Sequence, residues 1–261
     1  MPKAIFFDID GTLWDREQRI PESVKKALER LKENSHLFFI CSGRTRSFIP
    51  DRELMPLGFD GILAGCGTYG EYRGEVMYYH RIPVQEARQV CELLRKLDVS
   101  YVLEGRYESY LDAESFPDGD PFPARLKRDM GDRLLPVRGN EDRLEISKFC
   151  VDHVEGKIEE LEKALSSRFR IIYRRRGLLE IVPKGYSKAS GIEEICRGLS
   201  IAREDTYAFG DSTNDLDMLE YAAHSVAMGD GMEEAKQVAE YVTSPLWEDG
   251  VAKGLRHYGL I

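Results

Sequence analysis

The sequence predicts an α/β protein, built on a doubly wound and mostly parallel sheet with an α+β unit inserted into it. Three observations carry this expectation. Short apolar runs alternate with helical patterns near both ends of the chain. Those runs end in carboxylates or small polar residues. In the middle the rhythm changes to alternating strands and hairpin turns.

Residues 3–7 form an apolar run ending in Asp8 and Asp10, the pattern of a buried parallel strand with polar groups at its C-terminal edge. Pro21 suits a helix N-terminus, and Val24, Ala27, Leu28 and Leu31 recur at i, i+3, i+4 and i+7. Residues 37–41 repeat the strand pattern and end in Ser42-Gly43. A short helix follows, then a third strand over 61–64. Residues 68–79 alternate around Arg73-Gly74, which predicts a β-hairpin. A helix over 84–97 sets Ala87, Val90, Cys91, Leu94 and Leu97 on one stripe, and Tyr101-Val102-Leu103 reads as a strand. The stretch 114–136, rich in Pro, Asp and Gly, predicts no regular element. Residues 144–151 read as a strand, 157–165 as a helix, and 169–182 as two strands joined at Arg176-Gly177. The first rhythm returns with a helix over 192–199, a strand over 206–209 ending in Gly210-Asp211, a helix over 215–222, and a short strand at Ser225-Val226-Ala227. The core is therefore split in sequence into 1–80 and 185–261, with 81–184 as the inserted unit.

Bulk properties narrow the function classes. A chain of 261 residues suits two compact units better than one. Its formal charge of -9 disfavours nucleic-acid backbones and anionic membranes as partners. The dense basic run, Arg174-Arg175-Arg176, is bounded by apolar residues and reads as a solvated turn. No apolar stretch approaches the roughly 20 residues of a bilayer span. Cys41, Cys66, Cys91, Cys150 and Cys196 are widely spaced and form no C-x-x-C pair, which fits a reducing compartment. The N-terminus enters a strand pattern within a few residues, without signal-peptide architecture. The expectation is a soluble, cytoplasmic monomer or dimer acting on a small molecule.

The chemistry concentrates at the expected strand ends, where open α/β sheets place their ligands. Asp8 and Asp10 follow the first strand, Ser42-Gly43 the second, and Gly210-Asp211 a later one, with Asn214 and Asp215 one turn on. Carboxylates converging on one edge repel each other without a cation. Hard oxygen ligands suit Mg²⁺, which also takes phosphate oxygens. Beside such a metal a carboxylate can attack phosphorus and form an acyl phosphate. A calcium loop starting at Asp8 would need a glutamate at its twelfth position, where this chain has Arg19.

Asp8-Ile9-Asp10-Gly11-Thr12-Leu13 resembles the first motif of the haloacid-dehalogenase-like (HAD) phosphatases. Phe39-Ile40-Cys41-Ser42-Gly43-Arg44 resembles the second motif. Lys188 resembles the third, and the run from Gly210 to Met218 the fourth. The long insertion and the form of the fourth motif are similar to the Cof-type subgroup with its C2 α/β cap. The resemblance implies a HAD-like Rossmannoid core and a Mg²⁺ cofactor. It also implies Asp8 as nucleophile and metal ligand. Asp10 would be a general acid and base, ligating the metal through its carbonyl. Asp211 would be a further ligand, and Asn214 and Asp215 would orient Lys188 and the metal shell. Ser42 and Gly43 would hold phosphoryl oxygens, and Lys188 would offset charge there. Arg44 is open between a substrate contact and a surface charge. Lys184 competes with Lys188, which is favoured because it opens a helix. Trp14 and Tyr69 read equally as entrance or packing residues. Where many relatives have Asn-Gly after the third core strand, this chain has Cys66-Gly67, which removes a polar substrate contact. The implied substrates are small phosphomonoesters: sugar phosphates, or phosphorylated cofactors such as flavin mononucleotide or pyridoxal phosphate. The competing readings are a sugar phosphomutase using the same phosphoenzyme and a phosphometabolite-binding regulator without turnover.

Overall fold

The computed structural model describes residues 2–174 and 177–261. They divide into two compact units. One comprises Met1–Gly43, Pro50–Tyr78 and Tyr186–Ile261, and the other Arg44–Ile49 and Tyr79–Gly185. In chain order the elements begin with β1 (Ala4–Phe7), α1 (Glu22–Glu33), β2 (Leu37–Cys41), α2 (Asp51–Leu54), β3 (Gly61–Ala64), β4 (Tyr69–Tyr72) and β5 (Glu75–Tyr79). Next come α3 (Val84–Lys96), β6 (Ser100–Glu104), β7 (Ser109–Leu111), α4 (Pro121–Met130), β8 (Leu134–Pro136), β9 (Lys148–Asp152), α5 (Ile158–Leu165), β10 (Phe169–Tyr173) and β11 (Leu179–Pro183). The chain ends with α6 (Lys188–Leu199), β12 (Thr206–Gly210), α7 (Leu216–Tyr221), β13 (His224–Ala227), α8 (Glu233–Val238), β14 (Tyr241–Val242) and α9 (Gly250–His257).

The first unit is built on a sheet in the order β14-β13-β12-β1-β2-β3-β4-β5. The strands from β14 to β3 run parallel, and β4 turns back antiparallel on β3. β1 is central and buried at every residue because helices cover both faces. Ala4, Phe6 and Phe39 pack with Ile192 and Ile195 of α6, Met218 of α7 and Ala235 of α8. On the other face Phe7 meets Phe209 with ring centroids 4.9 Å apart, and Gly254 of α9 lies against the Phe209 ring. Between β4 and β5, Arg73 and Gly74 both have positive φ, at 51° and 82°, the backbone of a type I′ hairpin turn.

The second unit is a sheet in the order β10-β11-β9-β6-β7-β8, antiparallel except between β7 and β8. Its alternating residues serve two faces. Tyr101, Leu103, Phe149, Val151 and Ile181 pack beneath α3 and α5. Val102 faces the other way, with Leu126 and Met130 of α4.

Three expectations need correction. The stretch 114–136 contains α4, which Asp120 opens by accepting a hydrogen bond from the Phe122 amide at 2.8 Å, with Pro121 in the first turn. The strand expected over 144–151 starts at Lys148. Upstream of it the backbone is engaged elsewhere, since the Ile82 amide donates to the Ile146 carbonyl at 2.8 Å. Residues 44–49, expected within the core segment 1–80, belong to the second unit. The Thr45 hydroxyl donates to Glu104 at 3.1 Å, and the Ser47 hydroxyl donates to the Gly105 carbonyl at 2.9 Å.

Arg174 pairs with Glu180 at 3.0 Å, whereas Arg175 and Arg176 of the basic run and of the expected strand joint lie outside the described residues. All five cysteines are free. Among the described residues no helix is long and apolar enough to cross a membrane.

Candidate active site

Strand register brings the expected motifs to one edge of the first sheet. Phe7 pairs with Ile40 of β2 and with Phe209 of β12, so the loops that follow these three strands begin side by side. Asp8 is the first residue past β1, and its amide donates to the Phe209 carbonyl at 2.9 Å. It is buried because it emerges between two central strands rather than at a sheet margin.

Lys188 is the first residue of α6, and its position is fixed from below. Ser187 caps the helix by accepting from the Ser190 amide at 3.2 Å, while the Ser187 amide donates to the Ser190 hydroxyl at 2.9 Å. The Lys188 Nζ then lies 2.5 Å from Asp8 Oδ1 and 2.5 Å from Asp215 Oδ1. All three side chains are buried. Asp215 uses its second oxygen as well, accepting from the amides of Asp211 at 3.0 Å and Ser212 at 2.9 Å. It therefore orients the lysine and shapes the loop that presents Asp211. Lys184 is exposed.

Carboxylate oxygens of Asp8, Asp211 and Asp215 lie within 4.8 Å of one another. Three carboxylates against the single ammonium of Lys188 leave two net negative charges. Burial, with Asp215 nearby, holds the Asp8 carboxyl well above the usual carboxylate range, against the pull of Lys188. Burial also raises Asp211, reinforced by Asp8 and Asp215. Burial opposes the charge of Lys188, but Asp215 and Asp8 outweigh it and lift its pKa well above the ordinary value. Asp211 Oδ1 is buried and has no hydrogen-bond partner among the described residues. An unsatisfied carboxylate oxygen in a cluster with an excess of two negative charges fits a divalent cation, and the all-oxygen donor set fits Mg²⁺.

Gly11 makes this cluster possible. Its φ is +91°, and a Cβ there would lie 2.4 Å from Asp211 Oδ2. Gly67 acts similarly on the other side, since with φ +82° a Cβ would lie 2.0 Å from the Ser187 carbonyl oxygen, at the start of α6. The preceding Cys66 is buried with φ 54°. Its thiol faces the Gly43 carbonyl at 3.9 Å, and its amide donates to the Ser42 carbonyl at 3.2 Å. These contacts tie the loop after β3 to the loop after β2.

Asp10, by contrast, is exposed, and Trp14 Nε1 donates to its Oδ1 at 2.9 Å. A solvent-facing carboxylate aimed by an indole suits proton exchange better than Asp8 does. Ser42 is buried at the end of β2. Asn214 is nearly buried and accepts from the Ser212 hydroxyl. Arg44 falls in the second unit, where its guanidinium donates weakly to the Phe48 carbonyl at 3.4 Å. Trp14 and Tyr69 are both packed inside the first unit. Sequence reasoning did not single out Gly11 as clearance for Asp211, or Ser212 as an amide donor to Asp215. The glycine directly after Asp8-Ile9-Asp10 was the available signal for the first.

A family model described as haloacid dehalogenase-like hydrolase matches residues 5–255. The chain is 32% identical over 267 residues to YkrA of Bacillus subtilis (strain 168), which is named for a phosphatase, and the match covers 99% of this chain and 98% of that one. It is 27% identical to 5-amino-6-(5-phospho-D-ribitylamino)uracil phosphatase YitU of the same organism, covering 98% and 97%. A solved structure described as a HAD subclass IIB sugar phosphatase superposes with a TM-score of 0.84 at 31% identity, covering 99% of this chain and all of the other.

Proposed function

The chain belongs to the haloacid dehalogenase-like hydrolases as a Cof-type phosphatase, and we propose that it hydrolyses small phosphomonoesters through a phosphoryl group carried on Asp8. The observation that carries this reading is the buried Asp8 carboxylate, held by Lys188 at the sheet edge beside the unsatisfied oxygen of Asp211. The exposed Asp10, aimed by the Trp14 indole, supplies a second carboxylate within reach of solvent for proton transfer.

Asp8 attacks phosphorus while the ester oxygen leaves with a proton from Asp10. The product alcohol departs, leaving an acyl phosphate on Asp8. Asp10, now ionised, takes a proton from water, and the hydroxide attacks phosphorus. Inorganic phosphate is released and the Asp8 carboxylate is restored. Lys188 holds Asp8 in one rotamer and offsets the charge on the transferring group. Ser42 and the Gly43 amide, at the end of β2, serve as donors to phosphoryl oxygens. Mg²⁺ would be held by Asp8, Asp211 and the Asp10 carbonyl with Asp215 behind them, and would neutralise phosphate charge.

The substrates proposed are sugar phosphates and phosphorylated cofactors, in line with the sugar phosphatase and the ribitylaminouracil phosphatase that the chain resembles. Five free cysteines suit a cytoplasmic setting. A screen of phosphorylated metabolites in Mg²⁺, read by phosphate release, tests the proposal. Phosphate release from at least one such ester, abolished by a chelator, is expected. Conversion of a sugar phosphate to its isomer with no phosphate released, or full activity in excess chelator, would refute it.

A further inference from the structure

Between β13 and α8, beyond the last of the four motifs, the chain makes a turn over residues 228–232 that lies against the loop presenting Asp211. The Met228 amide donates to the Gly210 carbonyl at 3.0 Å, and the Met232 amide donates to the Asp211 carbonyl at 2.6 Å. Gly231 sits directly on Asp211. A Cβ there would lie 2.7 Å from the Asp211 carbonyl oxygen, 3.0 Å from its Cα and 2.9 Å from the Met228 carbonyl oxygen. These are backbone atoms, which cannot swing aside as the end of a long side chain would, so close packing passes the displacement on.

The other side of the turn is held by residues 243–246. The Gly229 amide donates to the Ser244 carbonyl at 3.1 Å, and a Cβ on Gly229 would lie 2.6 Å from the Thr243 carbonyl oxygen. The exposed Asp230 carboxylate accepts from the Leu246 amide at 3.2 Å. The turn therefore fills the gap between the C-terminal segment and Asp211, with a glycine at each close approach. Asp211 is fixed along its main chain as a result: Asp215 holds its amide, Met232 its carbonyl, and Gly231 lies on its Cα. Its Oδ1 is left buried and without a hydrogen-bond partner among the described residues. Mg²⁺ demands near-ideal octahedral geometry, so a small displacement of a ligand weakens binding.

We propose that the 228–232 turn is the seat that sets the position of Asp211 for the cation, with Gly231 and Asp230 as positioning residues. The proposal rests on the metal-dependent phosphatase reading above. It adds a control on Mg²⁺ affinity outside the residues that would touch the ion. Gly231 acts by clearance, and Asp230 acts by bracing the turn against the Leu246 amide.

The test is isothermal titration of Mg²⁺ into the parent and three variants, with thermal melts in chelator to show that each is folded. Gly231→Ala should raise the Mg²⁺ Kd at least about tenfold, the usual effect of disturbing the support of a metal ligand. Asp230→Ala should raise it about fivefold, as loss of one hydrogen bond implies. Asp230→Asn keeps the acceptor oxygen without the charge, and should restore the Kd to within about twofold of the parent. With saturating Mg²⁺, kcat for an aryl phosphate should return to within about twofold of the parent in every variant, because the reacting groups are intact. If Gly231→Ala does not fold, the exposed Asp230 pair decides alone. A parental Kd in folded Gly231→Ala or Asp230→Ala, an equal loss in Asp230→Asn and Asp230→Ala, or a kcat that saturating Mg²⁺ does not restore would overturn the proposal alone. Absence of Mg²⁺ binding by the parent would defeat the metal reading and this proposal together.

Discussion

Replacing Lys188 by methionine keeps the length of the side chain and removes its charge. In the parent, Nζ sits 2.5 Å from both Asp8 and Asp215, and neither carboxylate is solvated. Without it, the cluster of Asp8, Asp211 and Asp215 loses its only ammonium partner among these residues. Breaking a buried ion pair from one side costs about 3–5 kcal/mol. For a unit of this size that corresponds to a fall in Tm of roughly 10 °C in metal-free buffer. The penalty depends on the carboxylates being ionised, so it should shrink toward mildly acid pH, where their raised pKa values let them take up protons. Turnover should fall further than stability does, by roughly 10²–10³, as when a fixed charge is withdrawn from a transferring group. Thermal melts in chelator at several pH values, together with phosphate release from an aryl phosphate in Mg²⁺, measure both. A Tm within about 2 °C of the parent at neutral pH, or turnover within about twofold, would refute the reasoning.

The same cluster predicts how metal and protons compete. Asp8 and Asp211 have folded-state pKa values raised above those of the unfolded chain. Their contribution to stability is present below the ordinary carboxylate range near 4, and is lost as pH rises through the folded values toward neutrality. A cation relieves that loss, so the gain in Tm on adding Mg²⁺ should grow with pH over this window; a gain independent of pH in differential scanning calorimetry would contradict it. Gly11→Ala would drive a methyl to 2.4 Å from Asp211 Oδ2 in a backbone conformation that costs alanine about 1–2 kcal/mol. Mg²⁺ affinity by isothermal titration should drop at least about tenfold, and parental affinity would show that Asp211 is not part of the metal site.

Much of the site was legible because its residues follow strands that are easy to read. β1, β2 and β12 are continuous apolar runs, buried on both faces, and each breaks into Asp, Ser or Gly at the same sheet edge. Lys188 was legible as a helix opener, and the capping pair Ser187–Ser190 is the physical reason it points where it does. The second unit was less legible. α4 carries Pro121 and Pro123 in its first turn, which read as a loop unless Asp120 is taken as the cap and Leu126 and Met130 as its apolar stripe. Segment 44–49 follows a core motif directly, yet packs with the second unit through Thr45 and Ser47 hydroxyls, contacts of high sequence separation that no local pattern encodes. The small core of the second unit was hidden for the same reason: Phe48, Phe116 and Phe122 come from three separate segments and meet Val102, Leu126 and Met130 only in the fold.

The central claim is that Asp8, and not Asp10, carries the phosphoryl group. An Asp10→Asn variant lacks the base that opens the acyl phosphate, while an aryl phosphate has a leaving group that needs little acid. Acid quenching of that variant during turnover of an aryl phosphate, followed by peptide mass analysis, should place one phosphoryl group on the peptide bearing Asp8. Asp8→Asn in the same background should remove it. A phosphoryl group on any other side chain, or one that survives Asp8→Asn, would contradict the account.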